Sequence, residues 1–452
     1  MQPADSAPSS SIRAISIAGG VSAVAYLLLA YASHALPRLP LTLFFAVSAV
    51  VTGAAFWAYR RISHSEDSPL AVRWILIWAV LFRLIGFFAH PIYEDDYYRY
   101  LWDGRTLATG HNPYLHPPAD AFGDEHLPAK FQGILDRVNF PDVPTIYGPV
   151  CQLVFAAAYW IAPGELWSLK LIFLLADLAT MILLFRLLRR KSQLLIYAWS
   201  PLLILEIAFT AHSDILAVCL LTWAMERFAA RRPVFACALL ALAAGAKVIV
   251  LPFLPFLLLG SSNRIRLSAG MVFAATLALL HVPFAMGGGF GEQGLGVFLQ
   301  GWEFNSLAFA IFRWMWGDEA GRMVSLSLLA VSLGWLLRMH RKAPVGTIPR
   351  GDILLAVFFL LSPVVNPWYF VALLPFVTLW PSGWSLTLLS TVLLSYITGL
   401  NLGSQSLPPF NHPAWVRPLE ILPVIIVLGW ENRGKLKGKI AISAAPETVR
   451  SS

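Results

Sequence analysis

The chain has 452 residues, of which 58% are hydrophobic and only 13% are charged. Soluble domains carry about 25% charged residues, so this composition excludes an ordinary soluble protein and indicates an integral membrane protein. The net charge of +8 does not favour nucleic-acid binding, because lysine and arginine cluster in short loops between apolar runs, as they do in the cytoplasmic loops of membrane proteins.

The first three predicted spans are the apolar runs at residues 14–32, 41–59 and 74–89. The arginine-rich loop at residues 59–73 is predicted to be cytoplasmic, so the third span carries the chain to the opposite side. Arg83 lies within that span, where a charge usually pairs with another group or lines a wet cavity. Asp177, in a later apolar run, is its candidate partner.

Residues 90–148 are too polar to span a membrane and are predicted to form a long extracytoplasmic loop. The start of this loop mixes charged side chains with tyrosines and a tryptophan, which suits a ligand that is polyhydroxylated, anionic or both. Residues 95–109 have a helical pattern, and Gly110 and Pro113 are predicted to end it. The apolar run at residues 150–161 is short, and the orientation of the later basic clusters predicts that it lies along the surface or re-enters.

Seven further apolar runs are predicted to span, at residues 166–188, 194–210, 215–229, 267–285, 323–337, 384–400 and 419–430. Residues 233–260 lie between basic clusters, so they are predicted to make two short passes that turn near Lys247, and residues 353–380 repeat this pattern around Asn366. Further outer loops are predicted at residues 286–318 and 401–417. The expected fold is an all-α polytopic membrane protein with twelve to fourteen transmembrane helices, forming one domain over residues 1–452.

This topology places nearly all the unusual polar residues on the outer side, whereas the inner loops carry mostly lysine and arginine. Packing alone does not predict that asymmetry, but a binding or reaction site at the outer membrane surface does. The outer groups are residues 94–105, His111, Tyr147, His212, Asp214, Lys247, residues 302–305, residues 366–369 and Arg417.

The predicted helix at residues 95–109 contains the main candidate catalytic and binding residues. Helical spacing places Asp96, Tyr100 and Asp103 on one face, and Asp95, Arg99 and Trp102 on the adjacent face. A carboxylate beside aromatic rings can deprotonate a sugar hydroxyl while the rings stack on the sugar, and arginine or lysine can hold a leaving phosphate through charge-assisted hydrogen bonds. An internal ion pair between Arg99 and Asp103 is the structural alternative.

Other polar residues also have two interpretations. Lys247 lies in an otherwise apolar run, which fits either an anionic lipid-linked phosphate as its partner or a snorkelling lysine. His212 and Asp214 are two residues apart, which is a poor metal pair on a helix and fits a hydrogen-bonded turn. Glu206 is interpreted as a cap of a neighbouring helix. The three cysteines have no regular spacing, and no zinc motif or phosphate-binding glycine loop is present.

Residues 94–105, followed by Asn112-Pro-Tyr114, resemble bacterial membrane glycosyltransferases of the GT-C superfamily. The likeness is greatest to the polyprenyl-phosphate-mannose-dependent mannosyltransferases. Weaker matches extend it across most of the chain, at Tyr147-Gly-Pro149, His212-Ser-Asp214, Lys247 and Asn366-Pro-Trp-Tyr369.

The resemblance implies a GT-C-like helical bundle whose first large outer loop supplies an acidic base. Asp96 or Asp95 would be that base, with Asp96 favoured because its spacing to Tyr100 is similar to an Asp…Tyr spacing common in the superfamily. No metal and no other cofactor is expected. The candidates for binding the donor phosphate are Arg99, Arg105, Lys247 and Arg417. The candidates for binding the sugar or the acceptor are Tyr100, Trp102, Asp103, Tyr147, His212, Asp214 and Asn366.

The function expected on these grounds is inverting transfer of a hexose, with mannose favoured, from a polyprenyl-phosphate donor to an extracytoplasmic glycan or glycolipid. The protein would lie in the bacterial inner membrane among its lipids, with the site on the periplasmic side and no nucleic-acid partner. A lipid-linked sugar transporter or flippase is the first alternative, although transporters usually place polar groups near the midplane and show two related halves. A polymerase-like protein that uses a diphosphate-linked oligosaccharide is the second.

Overall fold

The computed structural model describes residues 7–63, 67–289 and 301–443, together with residues 294, 296 and 297. The described residues form helices and loops without a β-strand, so the all-α prediction is confirmed. Their one isolated bridge joins Phe304 to Val364. The predicted loops at residues 59–73 and 286–318 lie partly outside the described residues.

The helices are numbered here in chain order. The first thirteen are α1 Ala7–Ala35, α2 Leu41–Ser63, α3 Pro69–Phe88, α4 Tyr97–Ala108, α5 Ala129–Leu135, α6 Pro149–Ile161, α7 Leu166–Leu187, α8 Leu195–Ala198, α9 Pro201–Leu203, α10 Asp214–Ala229, α11 Pro233–Ala246, α12 Leu254–Leu258 and α13 Asn263–Met286. The others are α14 Ala308–Trp316, α15 Asp318–His340, α16 Gly351–Leu361, α17 Leu374–Leu379, α18 Gly383–Thr391, α19 Gly399–Leu402 and α20 Val416–Ser443. Tighter turns occupy Pro118–Ala121, Lys191–Leu194, Val248–Phe253, Pro367–Leu373 and Val392–Tyr396, and Ile204–Phe209 is a π-helix.

Six of the described helices are long and apolar enough to cross a membrane, which makes the chain a multi-pass membrane protein. They are α1, α2, α3, α7, α13 and α15. A seventh candidate span consists of Lys191–Ala198 and Pro201–Phe209, which are bent by 50° at the break between them. Several apolar helices of 10–17 residues are too short to qualify alone, so the count of twelve to fourteen spans stays a prediction.

Two helix breaks occur where the sequence predicts that short passes turn. Pro233–Ala246 ends at Lys247, whose backbone is extended, and Val248–Leu258 follows. Gly351–Leu361 is separated from Pro367–Leu379 by an extended segment that ends at Asn366, which precedes a proline. Breaks of this kind within a membrane are tolerated where the freed backbone groups are buried in protein or line a cavity. These two breaks therefore mark a candidate region for a functional site.

Arg83 and Asp177 form the buried ion pair that the sequence predicts. Arg83 Nε lies 2.6 Å from Asp177 Oδ2, and Nη2 donates a second bond of 3.1 Å to Oδ1. The Tyr197 hydroxyl adds a 2.9 Å bond to the same carboxylate. Because all three side chains are buried, the interaction links α3, α7 and α8 and serves a structural role.

Lys170 anchors the point at which the chain leaves α3 and enters the long loop. Its buried ammonium group donates to the carbonyls of Gly86 and Ala89 at 3.0 and 2.6 Å. These carbonyls belong to the last turn of α3, where a cation is favoured by the helix dipole and by the unpaired acceptors. Lys170 thereby fixes the start of the loop that carries α4.

The long loop contains α4 close to the predicted bounds, and the predicted stop is confirmed. Gly110 has a φ of +86°, and its N–H donates to Leu107 while the N–H of His111 donates to Thr106. This pair of bonds is a Schellman motif, which needs a residue such as glycine in the left-handed region. The C-terminal end of α4 is therefore set by its local sequence rather than by tertiary contacts.

The chain divides into two compact units, residues 1–379 and residues 380–452. The second unit contains α18, whose first backbone N–H groups at Gly383 and Trp384 donate to the Glu431 carboxylate of α20. Arg417 lies in this second unit. The prediction of a single transmembrane domain stays a prediction.

Candidate functional site

Asp96 is held in a way that leaves its carboxylate available for chemistry. It is the residue preceding α4, yet it makes no side-chain capping bond to that helix, although aspartate is a favoured cap. Its Oδ2 instead accepts a 3.1 Å hydrogen bond from the Tyr147 hydroxyl. Tyr147 packs edge-on against buried Tyr100, with ring centroids 4.9 Å apart. At the start of α4, a carboxylate therefore lies beside two tyrosines.

Asp95 has a different partner from Asp96. Its Oδ1 accepts a hydrogen bond from the Asn139 amide, so the two neighbouring carboxylates serve different parts of the loop. Burial raises the pKa of Asp95, the Asn139 bond opposes that shift, and the Asp96 charge adds to it. Asp95 and Asp96, which the sequence left as alternative bases, therefore have different hydrogen-bond partners.

Lys247 lies at the break after α11 and pairs with Asp214, the first residue of α10. The ammonium group is also 3.7 Å from the centroid of the Tyr369 ring, which follows the second break. A lysine ammonium over an aromatic face gains a cation–π attraction in addition to the ion pair. Lys247 from the first predicted turn and Tyr369 from the second therefore contact each other.

His212 is oriented by contacts with Glu206 and Trp368. Its Nδ1 lies 3.0 Å from Glu206 Oε2, with both side chains about 1% exposed. Its ring stacks on Trp368, with centroids 4.1 Å apart and an interplanar angle of 11°. The preceding residue, Ala211, has a φ of +66°, a strained conformation for a non-glycine residue. Nε2 is buried and makes no hydrogen bond within the described part of the chain.

Tyr100 connects these two groups of residues. Its hydroxyl takes part in hydrogen bonds with both Ser213 and Tyr147, and burial followed by the charges of Asp96 and Asp214 raises its pKa well above the ordinary value. Burial, followed by the charges of Asp96, Glu206 and Asp95, likewise raises the pKa of Glu94. We refer to the whole set as the polar cluster: Glu94, Asp96, Tyr100, Tyr147, Glu206, His212, Asp214, Lys247, Trp368 and Tyr369.

The polar cluster depends on a close backbone approach at Gly148, the residue after Tyr147. A Cβ atom at this position would overlap with the carbonyl oxygen of Gly245, two residues before Lys247. The φ of Gly148 is −67°, which any residue can adopt. Glycine is thus required for contact rather than for backbone conformation, and the contact brings Tyr147 beside the Lys247 break.

Replacing Gly148 with alanine is expected to lower the free energy of unfolding by about 1–3 kcal/mol, because the added methyl group overpacks the contact with Gly245. Thermal unfolding of the purified protein in detergent measures the loss. Gly133→Ala is the matched control, since a Cβ at Gly133 meets no atom within 4 Å. Equal melting temperatures for the two variants would show that Gly148 and Gly245 are not in contact.

The family model described as "Alpha-(1->6)-mannopyranosyltransferase, N-terminal domain" matches residues 10–262, more than half of the chain. The chain belongs to this mannosyltransferase family. No curated protein and no solved structure matches it. The matched region contains every member of the polar cluster except Trp368 and Tyr369. Family membership identifies the protein as a mannosyltransferase, which must act with a sugar donor and an acceptor.

Several predicted site residues of this mannosyltransferase lie in the polar cluster. These are Asp96, Tyr100, Tyr147, His212, Asp214 and Lys247. Asn366 borders it, because its side chain hydrogen-bonds Tyr369. The roles that the sequence suggests for these residues stay predictions, whereas their proximity is an observation.

Arg99 and Asp103 form the internal ion pair that the sequence left as an alternative to phosphate binding. Arg99 Nε lies 2.9 Å from Asp103 Oδ1, and both side chains are buried. Gln152 Nε2 donates a 3.0 Å bond to Asp103 Oδ2 and a 2.9 Å bond to the Thr145 hydroxyl. The network ties α4 to α6 and to the segment that leads into Tyr147. We therefore favour a structural role for Asp103.

Arg105 and Trp102 pack within the loop. The Arg105 guanidinium lies 5.7 Å from the Trp102 ring centroid and 5.4 Å from that of Phe131. Stacking of this kind holds the loop helices α4 and α5 together. Neither residue has a contact with the polar cluster among those described above.

Three features of the site were missed by reasoning on the sequence. Glu206 was read as a helix cap, yet it contacts His212, because an irregular π-helix turns it inward. Trp368 and Tyr369 lie in the predicted outer turn at residues 366–369 but were not predicted as site residues, although their rings contact His212 and Lys247. The signal for all three was present, since a glutamate within an apolar run and adjacent aromatics after an Asn-Pro pair are both unusual.

A cavity of about 490 Å³ lies elsewhere on the protein, and its lining residues are Arg231, Arg232, Pro233, Val234, Phe235, Ala238, Ile265 and Val272. No carboxylate lines it, so it offers no general base. Within the described residues, no three His, Cys, Asp or Glu side chains are placed to hold a metal ion. The polar cluster, which combines carboxylates, a lysine and a histidine, is the candidate active site.

Proposed function

We propose that this mannosyltransferase transfers mannose, with inversion, from a polyprenyl-phosphate donor to a hydroxyl group of an extracytoplasmic glycan or glycolipid. The observation that carries the proposal is the meeting of Asp96 with Lys247 and His212 around Tyr100. These contacts bring a base for an acceptor hydroxyl close to a cation that can bind a leaving phosphate. A GT-C-like bundle in the bacterial inner membrane is the architecture that fits this reaction.

Asp96 acts as the general base in this proposal. Its carboxylate removes the proton of the acceptor hydroxyl as the oxygen attacks the anomeric carbon, and the bond from that carbon to the phosphate oxygen breaks. The hydrogen bond from Tyr147 sets the direction of the carboxylate without protonating it. Because the phosphate leaves as an anion, the reaction needs one base and no general acid.

Lys247 and His212 stabilise the departing phosphate. In the absence of donor, the Lys247 charge is balanced by Asp214, and an incoming phosphate can share the same ammonium group. Glu206 Oε2 lies 3.0 Å from Nδ1 of His212, which leaves Nε2 as the ring nitrogen that can contact the phosphate. Donors aimed at the position where charge develops are worth far more in a dry site than in water.

A lipid-linked donor fits the position of the cluster. Lys247 and Asn366 mark breaks within apolar helix pairs, so a phosphate there could keep its polyprenyl chain in the surrounding hydrocarbon. The charge bias of the loops predicts that both breaks lie toward the outer side of the membrane. A nucleotide sugar would instead approach from the cytoplasm, where the predicted inner loops carry mostly lysine and arginine.

The donor class is tested with the purified protein in liposomes and an α-(1→6)-linked mannose trisaccharide as acceptor. Radiolabelled mannose is supplied as polyprenyl-phosphate mannose, as a nucleotide-diphosphate mannose, or on a polyprenyl diphosphate. We expect transfer from the first donor only, and NMR of the product should show an inverted anomeric configuration. Transfer from the nucleotide donor alone, or movement of the lipid across the bilayer without a new glycosidic bond, contradicts the proposal.

A further inference from the structure

A short exposed segment of the long loop contacts three aromatic or acidic partners in succession. Arg137 donates a 2.8 Å hydrogen bond to the Tyr98 hydroxyl, and its guanidinium lies 5.5 Å from the centroid of the same ring. Asn139 donates to Asp95. The Phe140 ring packs against Trp302, with centroids 4.4 Å apart. The segment therefore joins the start of α4 to a later loop of the same compact unit.

The backbone of this segment turns polar and aromatic side chains outward. Val138 is buried, whereas its neighbours Arg137 and Asn139 are exposed. Phe140 is 45% exposed and has a φ of +51°. Holding a phenylalanine at positive φ costs of order 1–3 kcal/mol and tends to occur at functional sites. An aromatic ring that packed only for stability would not need this strained, exposed position.

The groups on this surface match the chemistry of a pyranose ring. A sugar has an apolar face of C–H bonds, which suits contact with an aromatic ring, and a rim of hydroxyl groups that both donate and accept hydrogen bonds. Phe140 and Trp302 supply rings, Asp95 supplies acceptors, and Asn139 and Arg137 supply donors. The combination of large apolar surface with a few fixed polar groups is typical of small-molecule recognition.

We propose that this surface, which we name the acceptor strip, binds mannose residues of the glycan acceptor next to the one that reacts. The acceptor strip consists of Asp95, Tyr98, Arg137, Asn139, Phe140 and Trp302. The inference rests on the proposed function and adds the binding site of its second substrate. Asp95 immediately precedes Asp96, so the acceptor strip begins one residue from the proposed base.

The experiment compares the full chain with Phe140→Ala and Trp302→Ala in liposomes. The probes are α-(1→6)-linked mannose oligosaccharides of two, four and six residues, with polyprenyl-phosphate mannose saturating. We expect each variant to raise the KM for the longer acceptors about tenfold, the weakening typical for loss of an aromatic anchor. The KM for the donor and the kcat at saturating acceptor should stay within about twofold of the starting protein.

Matched controls separate recognition from folding and from membrane anchoring. Phe122 lies in the same loop with a similar exposure of 50%, and Trp314 is 86% exposed on α14. Alanine at either position should leave the acceptor KM unchanged. If Phe140→Ala and Trp302→Ala lower only the yield or the melting temperature, or change KM no more than the controls do, the acceptor strip is not a glycan site.

Failure of this inference differs from failure of the proposed function. If the starting protein transfers no mannose from polyprenyl phosphate to any acceptor, the proposed function is wrong. If it transfers mannose normally but the two variants give unchanged KM values for all three oligosaccharides, only the proposal that the acceptor strip binds glycan is wrong. A KM effect that grows from two to six residues supports binding along an extended glycan.

Discussion

Replacing Asp96 with asparagine is expected to lower kcat for mannosyl transfer by about 10²–10⁴-fold, the contribution typical of a positioned general base. The amide cannot accept the acceptor proton, but it keeps the size of the carboxylate, and its oxygen can still receive the bond from Tyr147. The fold should therefore survive, and the melting temperature should change little. The assay is transfer of radiolabelled mannose from polyprenyl phosphate at saturating donor and acceptor.

Two comparison variants make the result specific to Asp96. Asp95→Asn alters the carboxylate that bonds Asn139, so its effect should fall on the acceptor KM rather than on kcat. Asp142→Asn changes an exposed acidic residue of the same loop and should leave both constants unchanged. A kcat for Asp96→Asn within tenfold of the starting protein, or a larger loss in Asp95→Asn, would assign the base elsewhere.

The acidic residues of the polar cluster differ in how their charges are balanced. Asp214 is paired with Lys247, and Glu206 lies beside His212. The raised pKa of Glu94, caused by burial and by neighbouring carboxylates, favours its neutral form. Among the contacts described, Asp96 has a hydrogen-bond donor but no cation beside it. Because Asp214 lies beside a cation, the site carries less unbalanced negative charge and can accept an anionic donor.

The local elements of this protein could be predicted from sequence because they are set by short-range chemistry. The α4 bounds follow from helical spacing and from Gly110, and the two helix breaks follow from a lysine in an apolar run and from Asn366 before a proline. Arg83 and Asp177 could be matched because two isolated opposite charges in apolar runs have few other solutions. In each case one or two residues were sufficient to decide the outcome.

Side-chain partners within the loop could not be predicted in the same way. Helical spacing placed Asp103 on the same face as Asp96, but Arg99 lies one turn away and neutralises it, and Gln152 from another helix completes the pair. The Glu206–His212 contact depends on a π-helical segment and on the left-handed Ala211, neither of which has a strong sequence signal. Competition between near neighbours, rather than periodicity, decided these contacts.

Replacing Lys247 with methionine is expected to lower kcat/KM for the donor by about 10²–10³-fold, as typically follows from removing one group that stabilises transition-state charge. Methionine keeps much of the length and apolar surface of the side chain but cannot bind phosphate. The same change leaves Asp214 without its ion-pair partner, which destabilises a carboxylate that is only 7% exposed. A loss of activity in this variant alone would therefore have two explanations.

The double variant Lys247→Met with Asp214→Asn separates those explanations. Removing both charges together relieves the unpaired carboxylate, so the melting temperature should return toward that of the starting protein. Activity should not return, because the phosphate would still lack its cation. Lys247→Arg, which keeps the charge, should retain part of the activity. Recovery of both stability and transfer in the double variant would show that Lys247 only neutralises Asp214, and the donor phosphate would then have to be bound by other residues.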